Sequence, residues 1–144
     1  MRTSELFKDK TVLSLEIFPP KQTDSIDTFY RTLDELKRLE PDYISVTCGA
    51  GGSENSHATL EIASAIKNIY GIESVAHLPC VNLSKEEALG MLKSYEKANI
   101  NNILALRGDV KPEYPPKMEF RFASELISFI NQNGDFNIIG ACYS

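Results

Sequence analysis

No uninterrupted apolar segment of this chain approaches the length of a membrane span, so a bilayer-crossing helix is not expected. The first residues, Met1 to Lys8, have no apolar signal core and carry an acid at Glu5, which argues against a secretory leader. Basic charge is in deficit: 15 Lys and Arg against 20 Asp and Glu leave a net charge of −5. A general nucleic-acid binder needs the opposite balance to neutralise phosphates. Cysteine is scarce and badly placed for a framework. Cys48, Cys80 and Cys142 are odd in number, widely spaced and form no C-x-x-C pair, which disfavours disulfide staples and a zinc site. Thiols kept in a reducing compartment fit better, and the cytoplasm is the expected location.

What remains is an ordinary globular composition, 42% hydrophobic and 24% charged, and 144 residues have room for one domain spanning 1–144. The organising stretch is Ile103-Leu104-Ala105-Leu106-Arg107-Gly108-Asp109. A continuous apolar run that stops at a cation, a glycine and a carboxylate suits a parallel strand buried on both faces. Its charges then fall at the carboxyl end, where α/β folds bind ligands. The alternatives are a helix segment ending in an exposed turn, or a chance Arg-Gly-Asp tripeptide.

The same pattern recurs. Thr11 to Phe18 reads as a strand closed by Pro19 and Pro20, with Glu16 set between Leu15 and Ile17. Glu16 either points into solvent from an edge strand or faces the ligand end, where partial desolvation would raise its pKa and make it a candidate acid. Residues 24–39 carry Ile26, Phe29, Leu33 and Leu36 at helical spacing, with Pro41 beyond. Tyr43 to Thr47 is a second strand, opening into Cys48-Gly49-Ala50-Gly51-Gly52-Ser53. That glycine cluster lacks the P-loop lysine and the dinucleotide fingerprint, and is either a flexible turn or a place of close backbone approach.

A second helix presents Ile62, Ile66 and Ile69 and ends near Gly71. The third strand, Ser74 to Cys80, has His77 near its end, while His57 has no assigned role. Ser84 and Glu87 form a capping box for a third helix with Leu89, Leu92 and Tyr95. After the fourth strand and a proline-rich loop, a fourth helix with Phe122, Ala123, Leu126, Ile127 and Ile130 runs to Gly134, and Phe136 to Tyr143 is a fifth strand.

Strict βαβαβαβαβ order predicts a parallel sheet with helices packed outside. Glu16, Thr47, His77, Arg107 and Tyr143 fall at successive strand ends at about the 30-residue spacing of one βα unit. With Asp109 they should gather on one rim, which reads as a site.

These segments together resemble the methylenetetrahydrofolate reductase family. Leu15-Glu16-Ile17-Phe18-Pro19-Pro20-Lys21, Asp42 to Thr47 with its glycine loop, and Ala76-His77-Leu78-Pro79-Cys80 match in family order. Ala105-Leu106-Arg107-Gly108-Asp109, Phe122-Ala123-Ser124-Glu125-Leu126 and Gly140-Ala141-Cys142-Tyr143 complete the set. The resemblance implies a TIM-type (β/α) barrel holding FAD at its carboxyl ends, and reduction of 5,10-methylenetetrahydrofolate to 5-methyltetrahydrofolate. It implies that Glu16 is the acid that opens the folate ring to a 5-iminium cation, and that Asp109 stabilises the cation and tunes the flavin. Thr47, Cys48, His77, Arg107, Gly108, Asp109, Phe122, Ala123 and Tyr143 would contact FAD. The donor would be a reduced nicotinamide or another reductant.

Cys48 departs from the family, whose members often have an aromatic residue there. The count departs too: a complete barrel takes roughly 250 residues, and this chain has about five strands and four helices of eight. It is therefore expected to be the N-terminal part of a longer barrel or to associate, as a homo-oligomer or with a partner chain. Two rivals stand beside this reading: a catalytically dead half-barrel, and an aldolase or isomerase barrel, which would want a Schiff-base lysine or a phosphate-gripping loop late in the barrel.

Overall fold

The computed structural model describes residues 1–8, 10–20, 26–49, 53–110 and 112–142, with only the backbone of 53–56. A 3-10 turn, Thr3–Glu5, precedes β1 (Ser14–Ile17), α1 (Ile26–Lys37), β2 (Tyr43–Val46), α2 (Ser53–Asn68), β3 (Glu73–Pro79), α3 (Lys85–Lys97), β4 (Asn102–Leu106), α4 (Ala123–Asn133) and β5 (Asn137–Gly140). The predicted alternation is all present, with strand ends trimmed by a few residues. Tyr143 and Lys21, and the glycine-loop residues Ala50, Gly51 and Gly52, lie outside the described residues.

All five strands run parallel in the order β1-β2-β3-β4-β5. That order decides the architecture. A doubly wound sheet reverses its strand order and so takes helices on both faces; here the order never reverses and every helix lies on one side. Alternate strand residues Ile44, Val46, Ala76, Leu78, Ile103 and Ala105 are buried with Leu33, Ile62, Ile66, Leu92, Tyr95, Leu126 and Ile130 from the four helices in one core. The other face, with Ser14, Glu16, Tyr43, Ser45, Val75, Leu104 and Ile139, lines a cleft of about 260 Å³. This is an incomplete barrel, an arc whose concave side is open.

The openness corrects one expectation. β4 is buried on its helix side, where Ile103 and Ala105 are inaccessible, but Leu104 and Leu106 on the concave side are only half-buried. Five strands curve without enclosing that face, and among the described residues β1 and β5 each have one strand partner.

Local chemistry explains the element ends. The predicted capping box at α3 forms: Glu87 N–H donates to Ser84 Oγ at 3.2 Å, and Ser84 N–H donates to Glu87 Oε2 at 2.8 Å. Beyond α2, Gly71 turns the chain at a φ of +70°.

Polar residues seal the amino ends of the strands. Asn102, fully buried, accepts from Thr3 N–H at 2.8 Å and from Asn137 Nδ2 at 3.0 Å. Its own Nδ2 faces Glu73 Oε1 at 2.9 Å and the carbonyls of Met1 and Ser74 at 3.2 Å. Glu73 also pairs with Lys67. The N-terminal turn is thereby tied across β3, β4 and β5, at the end opposite the site.

Candidate functional site

The carboxyl ends of the strands carry the predicted residues. Glu16 lies on β1 and lines the concave cleft, so it belongs to the ligand face. The partial desolvation expected there is not found, because its side chain is 54% exposed on an edge strand. Burial falls instead on His77 of β3, which is 7% exposed.

The two meet over the strand between them. Glu16 and Val75 are both lateral neighbours of Ser45 on β2, and His77 lies two residues beyond Val75 on the same face. Ser45 is small, and its Oγ donates weakly down to the Leu15 carbonyl at 3.5 Å. Over that low point, Glu16 Oε2 stands 3.5 Å from His77 Nε2. This is ion-pair distance without hydrogen-bond geometry, and Nε2 is buried with no hydrogen-bond partner. Burial pushes the imidazole below its usual range, and the Glu16 carboxylate pulls it partway back. Ser45 was not singled out in the sequence; its signal is a small polar residue inside an apolar strand.

Thr47 follows β2, its N–H donating to the Ile17 carbonyl at 2.9 Å and its own carbonyl accepting from Thr59 Oγ1 at 2.9 Å. Cys48 is half-buried beside it. The end of β4 is locked onto the end of β3: Cys80 N–H donates to the Leu106 carbonyl at 3.0 Å and Val81 N–H to the Arg107 carbonyl at 2.9 Å. Arg107 is exposed, its Nε donating to the Arg121 carbonyl at 3.2 Å. Gly108, at a φ of +80°, packs on Pro79, and Asp109 is exposed next to it.

Phe122 caps the start of α4 and is 61% exposed, so core packing does not explain it. Its backbone is held by a residue not assigned from the sequence. The Glu125 carboxylate accepts from the N–H groups of Arg121 at 2.6 Å and Phe122 at 3.4 Å. Ala123 is half-buried at the first turn, and Phe120 anchors the preceding loop by an edge contact with Phe129 at 5.5 Å. Cys80 is buried and Cys142 exposed, and neither is in a disulfide among the described residues. Among the described residues no group of His, Cys, Asp and Glu gathers to hold a metal ion, and no helix is long and apolar enough to cross a membrane.

An orphaned buried imidazole nitrogen, a carboxylate, an exposed guanidinium and an exposed aromatic ring thus belong to one end of the sheet. Such a set can hold a phosphate-bearing ring cofactor: the guanidinium on the phosphates, Phe122 against a ring, and Gly108 leaving backbone open to approach.

Comparison with known proteins agrees with this reading. The family model described as methylenetetrahydrofolate reductase matches residues 2–144. The chain is 36% identical over 131 residues to 5,10-methylenetetrahydrofolate reductase of Pectobacterium carotovorum, covering 91% of this chain and 43% of that protein. The Escherichia coli protein of the same name is 34% identical over 132 residues, with 91% and 43% covered. Methylenetetrahydrofolate reductase (NADH) 1 of Arabidopsis thaliana is 37% identical over 113 residues, 78% of this chain and 18% of that protein. The chain therefore spans less than half the length of these relatives. Among solved structures, 4-hydroxy-tetrahydrodipicolinate synthase of Methylacidiphilum fumariolicum SolV superposes with a TM-score of 0.60 at 19% identity, over 91% of this chain and 44% of that one. That likeness concerns the fold alone.

Proposed function

Since the chain belongs to the methylenetetrahydrofolate reductase family, we propose that it supplies the amino-terminal half of a site that reduces 5,10-methylenetetrahydrofolate to 5-methyltetrahydrofolate with FAD. The observation that carries this reading is the convergence of Glu16, His77 and the Arg107-Gly108-Asp109 turn at one end of the sheet. Arg107 would hold the cofactor's phosphates, Phe122 and Tyr143 its rings or ribose, and Thr47, Cys48, Gly108 and Ala123 its backbone-facing edges. FAD, when bound, supplies the hydride; the electrons reach it from a reduced nicotinamide or another donor.

The chain's own residues do the acid chemistry. Glu16, on the open edge strand, gives a proton to N10 of the folate, which breaks the ring's C–N10 bond and leaves a cation at N5. Asp109, exposed past β4, offers the opposing negative charge to that cation. The thiols of Cys80 and Cys142 suit a reducing cytoplasm. The cleft is closed by the remaining strands of the same barrel or by a second copy of this chain. The reductase reading is preferred to an aldolase or isomerase because the family model matches residues 2–144.

The test is a visible absorption spectrum of the purified chain with added FAD, taken beside its elution volume. The proposal expects bound flavin that, once oxidised, bleaches anaerobically on adding 5-methyltetrahydrofolate. Flavin uptake with no bleaching by the folate would remove the reductase chemistry from this chain.

A further inference from the structure

The imidazole of His77 is the one buried titratable group on the concave face whose polar atom is left without a hydrogen bond among the described residues. Orphaned buried polar atoms are uncommon, and each calls for a reason. Here the reason stands 3.5 Å away in the Glu16 carboxylate. The gap is one that a small rotation of an exposed side chain closes, and Glu16 is free to make it from the edge strand.

We propose that Glu16 and His77 form a proton-sharing pair, in which His77 Nε2 delivers to Glu16 Oε2 the proton that Glu16 then gives to substrate. His77 is thus a positioning residue that acts through Glu16. The use of the proton rests on the reductase reading above; the pair itself does not.

The transfer balances. The transfer starts from the singly protonated pair, imidazolium facing carboxylate, which takes its proton from solvent. When a ligand covers the cleft and strips water from Glu16, the charged form of the carboxyl is disfavoured. The Nε2–H bond breaks, an O–H bond forms on Glu16, and two charges become none. After Glu16 protonates the substrate, His77 regains a proton from water, and the pair returns to its starting state. The net charge of the pair falls by one only while the substrate holds the proton.

The surroundings favour this exchange over a simple ion pair. On β2 the residue level with Val75 is Ser45, and on β4 the lateral neighbour of His77 is Leu104, neither of them charged. The helices lie on the other side of the sheet. Asp109 is not within ion-pair distance among the described residues, and Arg107 is engaged at the Arg121 carbonyl. Glu16 is therefore the charge to which His77 answers.

The experiment is an NMR titration of the purified chain, following the His77 ring and the Glu16 carboxyl carbon. In Glu16→Gln the His77 midpoint is expected to fall by about one pH unit, the shift that opposite charges at this distance produce near a protein surface. In His77→Gln the Glu16 carboxyl-carbon shift is expected to lose the inflection it shows at the His77 midpoint, because linkage is reciprocal. A His77 midpoint unchanged in Glu16→Gln overturns the pair. If His77→Gln does not fold, the Glu16→Gln arm decides alone, since Glu16 is 54% exposed on β1 and its replacement keeps the side chain's size. The reductase reading fails separately: a chain that is not bleached by the folate but shows the coupled shift keeps the pair and loses only the reaction.

Discussion

Gly108 lies so close against Pro79 that a Cβ on it would stand 2.8 Å from the Pro79 Cβ and 3.3 Å from Val81 Cγ1. Its φ of +80° adds a second constraint, because L side chains are strained in that region. The glycine is what lets the turn after β4 close onto the end of β3. Substitution Gly108→Ala should destabilise the chain by about 2–4 kcal/mol, combining left-handed strain with overpacking. Urea unfolding measures it, and a loss below about 0.5 kcal/mol would show that the turn relaxes freely.

At the opposite end, Asn102 joins the N-terminal turn to three strands. Its amide has two hydrogens for three facing acceptors, so at most two are served at once. Asn102→Ala should cost about 2–3 kcal/mol by leaving the Thr3 N–H without its acceptor and the Asn137 amide with Thr3 Oγ1 alone. Flavin uptake per folded molecule should not change, which equilibrium unfolding and a binding titration together would check.

Acid should weaken the fold through His77. Its folded pKa lies below the unfolded value of 6.5, so the unfolded chain binds the proton more readily. The stabilisation is complete above pH 6.5 and is lost as pH falls from there through the lower folded midpoint. Urea midpoints at pH 7.5 and pH 5.5 should therefore differ, and His77→Gln should narrow that difference. An equal difference in both proteins would assign the acid sensitivity to other groups.

Tyr95 is wholly buried in α3, and its hydroxyl has no hydrogen-bond partner among the described residues. Burial holds its pKa far above the ordinary phenol range. Tyr95→Phe removes an unsatisfied group while keeping the ring, so stability should be unchanged or should rise by about 1 kcal/mol. A loss of 1 kcal/mol or more would reveal a partner for the hydroxyl.

For the chemistry, Glu16→Gln in flavin-loaded protein should keep the cofactor and abolish folate reduction. Asp109→Asn should slow the folate half-reaction and move the flavin potential. Rates equal to wild type in either variant would take that carboxylate out of the reaction.

The β/α order was legible because each element carries its own local signal. Helical spacing at Leu33, Ile62, Ile66 and Leu126, the Ser84–Glu87 box, and apolar runs closed by Pro19, Pro79 or Gly108 all act within a few residues. The rim residues followed, since a strand end is a position in the sequence. The sharing of burial between Glu16 and His77 was not legible. It depends on β1 being an edge, on β2 lying between them, and on a register in which Glu16 and Ser45 are level. One residue of slip would turn either side chain to the helix face. The reach of Thr3 to Asn102 and Asn137 depends in the same way on the chain folding back across the amino ends.

The amino-acid sequence by itself determined that this protein alternates strands with helices and that its charged groups gather where strands end, because backbone preference and apolar period are local. Only the tertiary structure decided that the strands stand in unreversed order, that Asn102 ties the floor, and that an exposed carboxylate faces a buried imidazole. Those outcomes are set by strand pairing between distant segments, and pairing is a property of the assembled sheet.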